Sequence, residues 1–225
     1  MGSIITHKKG LPFFEAVIFD MDGVLVDSEP IYTAVERNNF RQLGLSITEE
    51  EHRRFQGIAT DRMWQLLRAK YDLKQSVEEL VEMTKGFVTP YFHSMEKIDP
   101  IPGVDELIIM LKKKGILLAV ASSSYPEVID IILRKTGLKD YFDVVVDSQM
   151  AGSSKPDPDI FLLAAVKLGI SPDRCIVIED SANGIMAARK AGMFCIAYTG
   201  QDFELQDYPG ADMHITRFKD FPAVE

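Results

Sequence analysis

The sequence predicts an α/β protein, a doubly wound parallel sheet with an all-helical segment inserted after the first strand. Three observations support this fold class. Short apolar runs rich in Val, Ile and aromatic residues do not alternate with polar residues, which is typical of strands buried on both faces. Amphipathic stretches with helical spacing separate the later runs, and such alternation favours right-handed crossovers. The first two runs are far apart, and the interval between them has a helical pattern.

The predicted strands lie in chain order at residues 16–19, 116–121, 144–146, 175–178 and 193–198. Between them, apolar positions three and four residues apart predict helices, and several of these stretches end just before a glycine. The predicted helices cover residues 103–114, 128–133, 157–168 and 185–191.

The inserted segment follows from the length of one connection. Residues 21–115 separate the first two strands, although a parallel crossover needs only about a dozen residues. The helix at 103–114 can serve as that crossover, so we expect residues 29–99 to form a helical cap domain. Residues 1–28 and 100–225 would then form a Rossmann-like catalytic core. Within the cap, Thr48 with Glu51 and Ser76 with Glu79 have the capping-box spacing.

Composition excludes several classes of protein. The 225 residues include 25 Lys and Arg but 34 Asp and Glu, a formal net charge of −9, which disfavours a nucleic-acid partner. No apolar stretch approaches the roughly 20 residues needed to cross a membrane. The polar start is not followed by a signal-peptide core, so we expect a cytoplasmic protein. We also expect the protein to be a monomer. Cys175 and Cys195 are expected to be buried, reduced thiols.

Acidic residues follow two of the predicted strands directly. Asp20 and Asp22 follow the first strand, and Glu179 and Asp180 follow the fourth. Ligands bind at the carboxyl ends of strands in open α/β sheets, and four carboxyl groups meeting there would repel one another. A bound cation removes that repulsion, and oxygen ligands of this kind suit Mg²⁺, which often shares its site with a phosphate.

Hydroxyl and ammonium groups are predicted at the same edge. Ser122, Ser123 and Ser124 end the second strand, and Lys155 lies between Ser154 and Pro156, just before a helix. Together with free backbone N–H groups after Asp20, they could hold a phosphoryl group. Each feature alone has an ordinary structural explanation, such as a helix cap or a loop. Their occurrence together, at the ends of successive strands, indicates a site.

These motifs resemble those of the haloacid-dehalogenase-like phosphohydrolase superfamily, in the branch with a helical cap inserted after the first strand. The similarity covers nearly the whole chain. The segment FDMDGVLVDS at 19–28 is similar to the first motif of that family, and Ser122 to the second. Lys155 in SKPDPDIF is similar to the third motif, and EDSANGIMAARKAGM at 179–193 to the fourth.

The resemblance implies a role for each matching residue. Asp20 would be the nucleophile that forms an aspartyl-phosphate, and Asp22 the general acid and then the general base. Mg²⁺ would be bound by the Asp20 carboxylate, the Asp22 backbone carbonyl and Asp180, with Glu179 as a ligand or behind the ligands. Ser122, Ser123 and Lys155 would bind the phosphoryl oxygens. Dehalogenases of the superfamily lack the second aspartate, so Asp22 favours phosphoryl transfer.

Two relatives within that branch remain as alternatives. One is a phosphatase acting on small phosphorylated metabolites, with sugar phosphates as the expected class, and the other is a phosphomutase of the β-phosphoglucomutase type. The mutase carries a His, an Arg and a Lys at positions where this chain has Tyr32, Thr60 and Tyr125. Arg62 and Lys85 could supply positive charge from the cap instead. These departures favour the phosphatase, and solvated helix faces are the simpler explanation of Arg62 and Lys85.

Other interpretations have less support. A non-catalytic module on this scaffold would be expected to have lost Asp20, Asp22 or Lys155, and all three are present. A phosphonate-cleaving relative uses a cap lysine, but nothing distinguishes any of the candidates, which are Lys70, Lys74 and Lys85. Trp64 is expected in the core of the cap. Asp27, Ser28 and Ser181 are each expected to cap the helix that follows.

Overall fold

A computed structural model describes residues 11–55, 60–200 and 210–224, and its centre is a parallel sheet. The six strands lie in the order β3-β2-β1-β4-β5-β6. Their bounds are Ala16–Phe19 for β1, Leu117–Ser122 for β2, Val144–Asp147 for β3, Cys175–Glu179 for β4, Phe194–Tyr198 for β5 and Met213–Ile215 for β6. The predicted fold class is confirmed, and β6 is a strand that the sequence did not predict.

Helices connect the strands and fill the inserted segment. The insertion contains α1 Glu29–Gln42, α2 Glu49–Arg53, α3 Thr60–Tyr71 and α4 Val77–Ser94. The remaining helices are α5 Val104–Lys113, α6 Pro126–Lys135, α7 Ser148–Ala151, α8 Asp159–Leu168 and α9 Ala182–Lys190. In the described part of the insertion all regular structure is helical, as predicted. No helix in the described part of the chain is long and apolar enough to cross a membrane.

Alternate residues of β1 face two different apolar layers, because successive side chains of a strand point to opposite faces. Val17 and Phe19 belong to a cluster that includes residues of α5 and α6. Ala16 and Ile18 belong to a second cluster that includes residues of α8 and α9. The sheet is therefore covered on both faces, which explains why its strands lack polar alternation.

The inserted helices have a core of their own. Phe40, Met63, Trp64, Leu67 and Leu80 form a separate buried cluster, so the prediction for Trp64 is confirmed. The Trp64 indole donates a 2.9 Å hydrogen bond to the Thr84 hydroxyl, which satisfies its only polar atom.

The insertion also contacts the sheet side of the molecule. Val35 of α1 and Val88 and Phe92 of α4 belong to the cluster that packs on the sheet. The four inserted helices thus have an apolar core between them and a second apolar contact with the rest of the chain. The exact division at residues 28/29 and 99/100 stays a prediction.

Three of the predicted N-terminal helix caps, at Thr48, Ser76 and Ser181, are present in the structure. Ser76 and Glu79 form the full reciprocal capping box at α4. The Thr48 side chain accepts a hydrogen bond from the Glu51 backbone, which is one half of such a box. Ser181 caps α9 by accepting from the Gly184 backbone at 3.0 Å, as predicted.

Candidate active site

Strand order brings the two acidic motifs together. β1 pairs with β2 on one side and with β4 on the other, with Phe19 opposite Val120 and Ile178. The Asp20 backbone N–H donates a 3.0 Å hydrogen bond to the Ile178 carbonyl. Asp20 and Glu179 therefore leave neighbouring strands at the same edge of the sheet, which meets the condition on which the predicted site depended.

Lys155 joins these two carboxylates. Its ammonium group donates to the Asp20 carboxylate, to Glu179 Oε1 at 2.7 Å and to the Ala121 carbonyl at 3.1 Å. Only 7% of the Lys155 side chain is exposed, and the ammonium lies 5.0 Å from the centre of the Phe161 ring. A buried cation therefore lies between the ends of β1, β2 and β4, and its binding of a phosphate stays a prediction.

Negative charge exceeds positive charge in this site. Burial raises the pKa of Asp20 to about 8, against the opposing effect of Lys155 and with further contributions from Glu179 and Asp22. Burial, followed by the charges of Glu179 and Asp20, also raises the pKa of Asp180 well above its ordinary value. One ammonium group therefore does not compensate the carboxylates that surround it.

Asp22 is held by serine hydroxyls. Ser28 donates to Asp22 Oδ1 at 2.5 Å, and Ser124 donates to Asp22 Oδ2 at 2.7 Å. Ser122 approaches the same Oδ2 at 3.3 Å. Both oxygens of the Asp22 carboxylate are thus fixed by donors from two different segments of the chain.

The prediction that Asp27 and Ser28 cap the first inserted helix is wrong. Ser28 occupies the N-cap position of α1, but its side chain makes no capping hydrogen bond. Its hydroxyl is instead directed at Asp22, because the chain turns back at residues 21–26 and brings Ser28 beside that carboxylate. Asp27 is exposed.

Two glycines provide space for the acidic side chains. A Cβ atom at Gly23 would lie 1.9 Å from Asp180 Oδ2, and one at Gly184 would lie 1.7 Å from Glu179 Oε1. Sequence reasoning missed Gly184 and Ser28 as parts of the site, and it named Ser124 among the hydroxyl donors without linking it to Asp22. The available signal was a glycine in the first turn of a predicted helix, where alanine is otherwise favoured.

Both oxygens of the Glu179 carboxylate accept hydrogen bonds in this arrangement. One oxygen accepts from Lys155, and the other accepts from the Ser181 backbone N–H at 2.7 Å and the Ser181 hydroxyl at 2.9 Å. The carboxylate is 1% exposed. Glu179 therefore orients Lys155 in this structure.

The predicted cap residues are less closely grouped. Lys85 pairs with Glu127 at 3.2 Å and lies 5.8 Å from the centre of the Tyr125 ring. Burial raises the pKa of Tyr125 to about 12, against a lowering effect of the Thr60 side chain. Arg62 lies on an exposed helix face, where it contacts Gln65 at 3.1 Å. Residues 57–59, which precede Thr60 in the predicted cap motif, lie outside the described residues.

Ser123 also differs from its neighbours. Its side chain is exposed, whereas Ser122 is completely buried. The Ser122 hydroxyl accepts a 3.0 Å hydrogen bond from the Ser124 backbone, so it is fixed at the end of β2. The structure brings together Asp20, Asp22, Ser122, Lys155, Glu179 and Asp180.

The donor set fits a hard divalent cation. Among the described residues, no three His, Cys, Asp or Glu side chains are grouped so that they could hold a metal ion by themselves. The predicted set consists of the Asp20 and Asp180 carboxylates and the backbone carbonyl of Asp22, with Glu179 as a ligand or behind the ligands. Mg²⁺ commonly retains waters and a substrate phosphate in its remaining positions. The uncompensated carboxylates at Asp20 and Asp180 are the observation that favours such a cation.

The fold and the site together define an α/β enzyme with a carboxylate-rich centre at the end of the first strand. Residues 17–198 match the family described as haloacid dehalogenase-like hydrolase. The chain belongs to this family. The prediction from the sequence motifs is confirmed, and with it the enzyme class of a phosphoric monoester hydrolase.

Three relatives illustrate the similarity. The phosphorylated carbohydrates phosphatase of Thermotoga maritima is 37% identical over 179 residues, which are 80% of this chain and 82% of that protein. The β-phosphoglucomutase of Bacillus subtilis is 32% identical over 213 residues, or 92% and 91% of the two chains. The structure of CbbY from Rhodobacter sphaeroides in complex with xylulose-(1,5)bisphosphate has a TM-score of 0.79 at 28% identity, covering 92% of this chain and 96% of that one.

Proposed function

We propose that the protein is a Mg²⁺-dependent phosphatase that hydrolyses small phosphorylated metabolites, with sugar phosphates as the expected class. The observation that supports this most is the buried Lys155, which bonds to Asp20 and Glu179 while Asp22 lies two residues beyond Asp20. The name of the Thermotoga maritima relative, a phosphatase of phosphorylated carbohydrates, supports the substrate class.

The first half of the proposed reaction transfers the phosphoryl group to Asp20. A carboxylate oxygen of Asp20 attacks phosphorus, and the bond between phosphorus and the leaving oxygen breaks. Asp22 donates a proton to that oxygen, so the product leaves as an alcohol. Lys155 and Ser122 bind the phosphoryl oxygens, and the positive charge of Lys155 offsets the repulsion between carboxylate and phosphate.

The second half returns Asp20 to its starting state. Asp22, now ionised, accepts a proton from a water molecule whose oxygen attacks phosphorus. The bond between Asp20 and phosphorus breaks, and inorganic phosphate leaves. Asp22 is again protonated and ready to act as an acid, so one residue serves both halves of the cycle.

In this proposal Mg²⁺ would be bound by the carboxylates of Asp20 and Asp180 and by the backbone carbonyl of Asp22. When bound, it supplies charge neutralisation for the phosphoryl group. Glu179 would lie behind the ligands, because both of its oxygens already accept hydrogen bonds from Lys155 and Ser181. Its role is then to hold Lys155 in place.

The inserted helices would select the substrate. Lys85 supports this role, because it lies over the Tyr125 ring and pairs with Glu127 at the start of α6, and Tyr125 follows Ser124 in the chain. Direct contact of Thr60, Lys85 and Arg62 with substrate stays a prediction. The cytoplasmic location and the monomeric state also stay predictions.

A panel of phosphorylated metabolites, assayed for phosphate release with and without Mg²⁺, tests the proposal. We expect sugar phosphates to be hydrolysed in the presence of Mg²⁺. Asp20→Asn should abolish turnover while preserving the circular dichroism spectrum, because an amide is a poor nucleophile. Asp27→Asn is the matched control, since Asp27 is exposed, and it should retain activity. Normal turnover in a folded Asp20→Asn protein would contradict the assignment.

A phosphomutase is the alternative, and one comparison favours it. The Bacillus subtilis β-phosphoglucomutase is similar over 92% of this chain. Both reactions would use Asp20 and Asp22, and they differ in whether water or a sugar hydroxyl attacks the aspartyl-phosphate. A mutase must also hold a second phosphate, which requires positive charge near the site. The engagement of Lys85 by Glu127 weighs against that role.

A further inference from the structure

A chain of hydroxyl groups connects helix α1 to Asp22. The Tyr32 hydroxyl lies 2.6 Å from the Ser124 hydroxyl, which in turn donates to Asp22 Oδ2 at 2.7 Å. A serine hydroxyl has a single proton, and that of Ser124 is committed to the carboxylate. The short contact with Tyr32 therefore requires the tyrosine to be the donor. Tyr32 therefore donates a hydrogen bond to Ser124, and Ser124 donates one to Asp22.

Two features keep Tyr32 in this donor role. Burial, followed by the charge of Asp22, raises the pKa of Tyr32 well above its ordinary value, so the hydroxyl keeps its proton. The Tyr32 ring packs against Phe92 of α4, with 6.2 Å between ring centres, and this fixes the direction from which the hydroxyl approaches. Phe92 is itself completely buried.

This series of hydroxyl groups connects the inserted helices to the end of the sheet. Tyr32 lies near the start of α1, whereas Ser124 lies between β2 and α6. Ser28 holds the other oxygen of the same carboxylate. The direction of the Asp22 side chain thus depends on where α1 lies relative to the end of β2.

We propose that Tyr32 is a positioning residue for Asp22, acting through the Ser124 hydroxyl to fix the direction of the carboxylate group that exchanges protons in catalysis. The proposal rests on the proposed function. Tyr32 does not itself touch the reacting atoms. It couples the position of helix α1 to proton transfer, so proton transfer is efficient when α1 is seated against the end of β2.

The dependence on the leaving group separates this role from a merely structural one. A sugar phosphate releases a poor leaving group that needs a proton, whereas p-nitrophenyl phosphate releases a phenolate that does not. The ratio kcat/KM reports the steps up to release of the leaving group. A misplaced proton donor should therefore lower kcat/KM much more for the sugar phosphate than for the aryl phosphate.

We expect Tyr32→Phe to lower kcat/KM for the best sugar phosphate about tenfold, which is a typical part of a general acid's contribution, and for p-nitrophenyl phosphate by less than about threefold. Ser124→Ala should lower it at least as much, and Ser124→Thr, which retains a hydroxyl, should restore most of the loss. The double variant Tyr32→Phe with Ser124→Ala should be no worse than Ser124→Ala alone, because Tyr32 acts only through Ser124.

Tyr91→Phe is the matched control, since Tyr91 is an exposed tyrosine on α4, and it should leave both substrates unaffected. Equal losses on the two substrates, or losses that multiply in the double variant, would overturn the positioning role. Thermal unfolding of each variant verifies that the fold is intact, and Tyr32→Phe keeps the ring that packs on Phe92. Wild-type activity on sugar phosphates is measured first, so absence of phosphatase activity would reject the proposed function separately.

Discussion

Residue 184 has to be a glycine because the Glu179 side chain lies close to its backbone. The residue lies in the first turn of α9, where alanine would normally be preferred, and its backbone needs no unusual torsion angle. Its lack of a side chain instead leaves room for Glu179, since a Cβ atom would come within 1.7 Å of the carboxylate. Because Glu179 bonds to Lys155, Gly184 indirectly determines where the ammonium group lies.

Gly184→Ala should therefore reduce activity although alanine is the better helix former. We expect at least a tenfold loss of kcat, because displacement of Glu179 moves Lys155 away from the phosphoryl position. Gly86→Ala is the matched control, since Gly86 lies within α4 and a Cβ atom there would meet nothing within 4 Å. It should raise the free energy of unfolding by up to about 1 kcal/mol without affecting turnover. Unchanged kcat in Gly184→Ala would show that Glu179 can shift without moving Lys155.

The excess of carboxylates predicts that Mg²⁺ stabilises the fold. Without a cation, burial raises the pKa of Asp20 to about 8, so the folded protein binds that proton more tightly than the unfolded chain. This contribution to stability is present at low pH and is lost as the pH rises through about 8. Mg²⁺ competes with that proton, and thermal unfolding should therefore show a larger Mg²⁺-induced increase in Tm at pH 8 than at pH 6.

Asp180→Asn should abolish most of that increase in Tm, because it removes one of the two proposed carboxylate ligands. At a hundred times the dissociation constant, binding to the native protein is worth about 2.7 kcal/mol. Asp140→Asn, a change at an exposed aspartate, should leave the effect intact. EDTA should stop catalysis, and Ca²⁺ should substitute poorly because it prefers more ligands and looser geometry. A Tm independent of Mg²⁺ would contradict the metal role even if activity were preserved.

Sequence reasoning found the charged residues of the site because each directly follows a strand or stands one loop away. Among their hydroxyl partners it found the serines that follow the second strand, but not Ser28. Ser28 was assigned to a helix cap because a serine before Glu29 and Pro30 fits that role, and only the turn at residues 21–26 directs its hydroxyl to Asp22. Hydroxyl partners depend on how the chain folds back, and residue spacing does not encode that.

At the scale of elements, one lysine joins α6 to the end of α4. Lys135 donates to the backbone carbonyls of Phe92, at 3.0 Å, and His93, at 2.7 Å, and also to that of Met95. The last carbonyls of a helix have no partners within the helix, and the helix dipole makes that end negative. The ammonium group therefore satisfies the end of α4 and fastens the last inserted helix to α6.

Lys135→Met should lower the free energy of unfolding by about 2 kcal/mol, because hydrogen bonds to charged groups are worth about 1.5–3 kcal/mol. Lys135→Arg should retain part of the effect, since its charge remains. Lys167→Met, on the exposed face of α8, is the control and should change stability by less than about 0.5 kcal/mol. Urea denaturation measures all three. An unchanged midpoint for Lys135→Met would indicate that water satisfies these carbonyls equally well.

Elements with a strong apolar pattern were predicted within a few residues of their observed ends. The second strand was expected at 116–121 and lies at Leu117–Ser122. In contrast, β6 contains only the three residues Met213–Ile215, with His214 in the middle, and forms no apolar run. Its extended conformation depends on pairing with β5, so local sequence does not indicate it.

At the scale of the molecule, the inserted helices and the sheet meet beside the site. The Tyr125 hydroxyl donates to the Val81 carbonyl of α4 at 3.3 Å, and Lys85 of α4 pairs with Glu127 of α6. These contacts bring α4 next to the segment that follows Ser122. Any positive charge offered to a second phosphate would have to come from this boundary.

The arrangement at that boundary predicts hydrolysis over mutase activity. The mutase positions for His, Arg and Lys carry Tyr32, Thr60 and Tyr125, which have no positive charge, and Lys85 is already paired with Glu127. With β-glucose 1-phosphate and a trace of the bisphosphate primer, we expect free phosphate to form much faster than glucose 6-phosphate. Glu127→Gln, which releases Lys85 from its ion pair, should shift the product ratio towards glucose 6-phosphate if Lys85 can then hold a second phosphate.

Glucose 6-phosphate forming faster than free phosphate in the wild type would overturn the phosphatase proposal. In that case a cap cation must hold the second phosphate, and Arg62→Ala and Lys85→Ala identify which one. Loss of the mutase reaction in Lys85→Ala alone would mean that Lys85 leaves Glu127 when substrate binds. Loss in Arg62→Ala alone would mean that α3 rotates its exposed face towards Asp20, because Arg62 lies on that face, where it contacts Gln65. The same assay with each variant therefore shows whether α4, which carries Lys85, or α3, which carries Arg62, supplies the cation that holds the second phosphate.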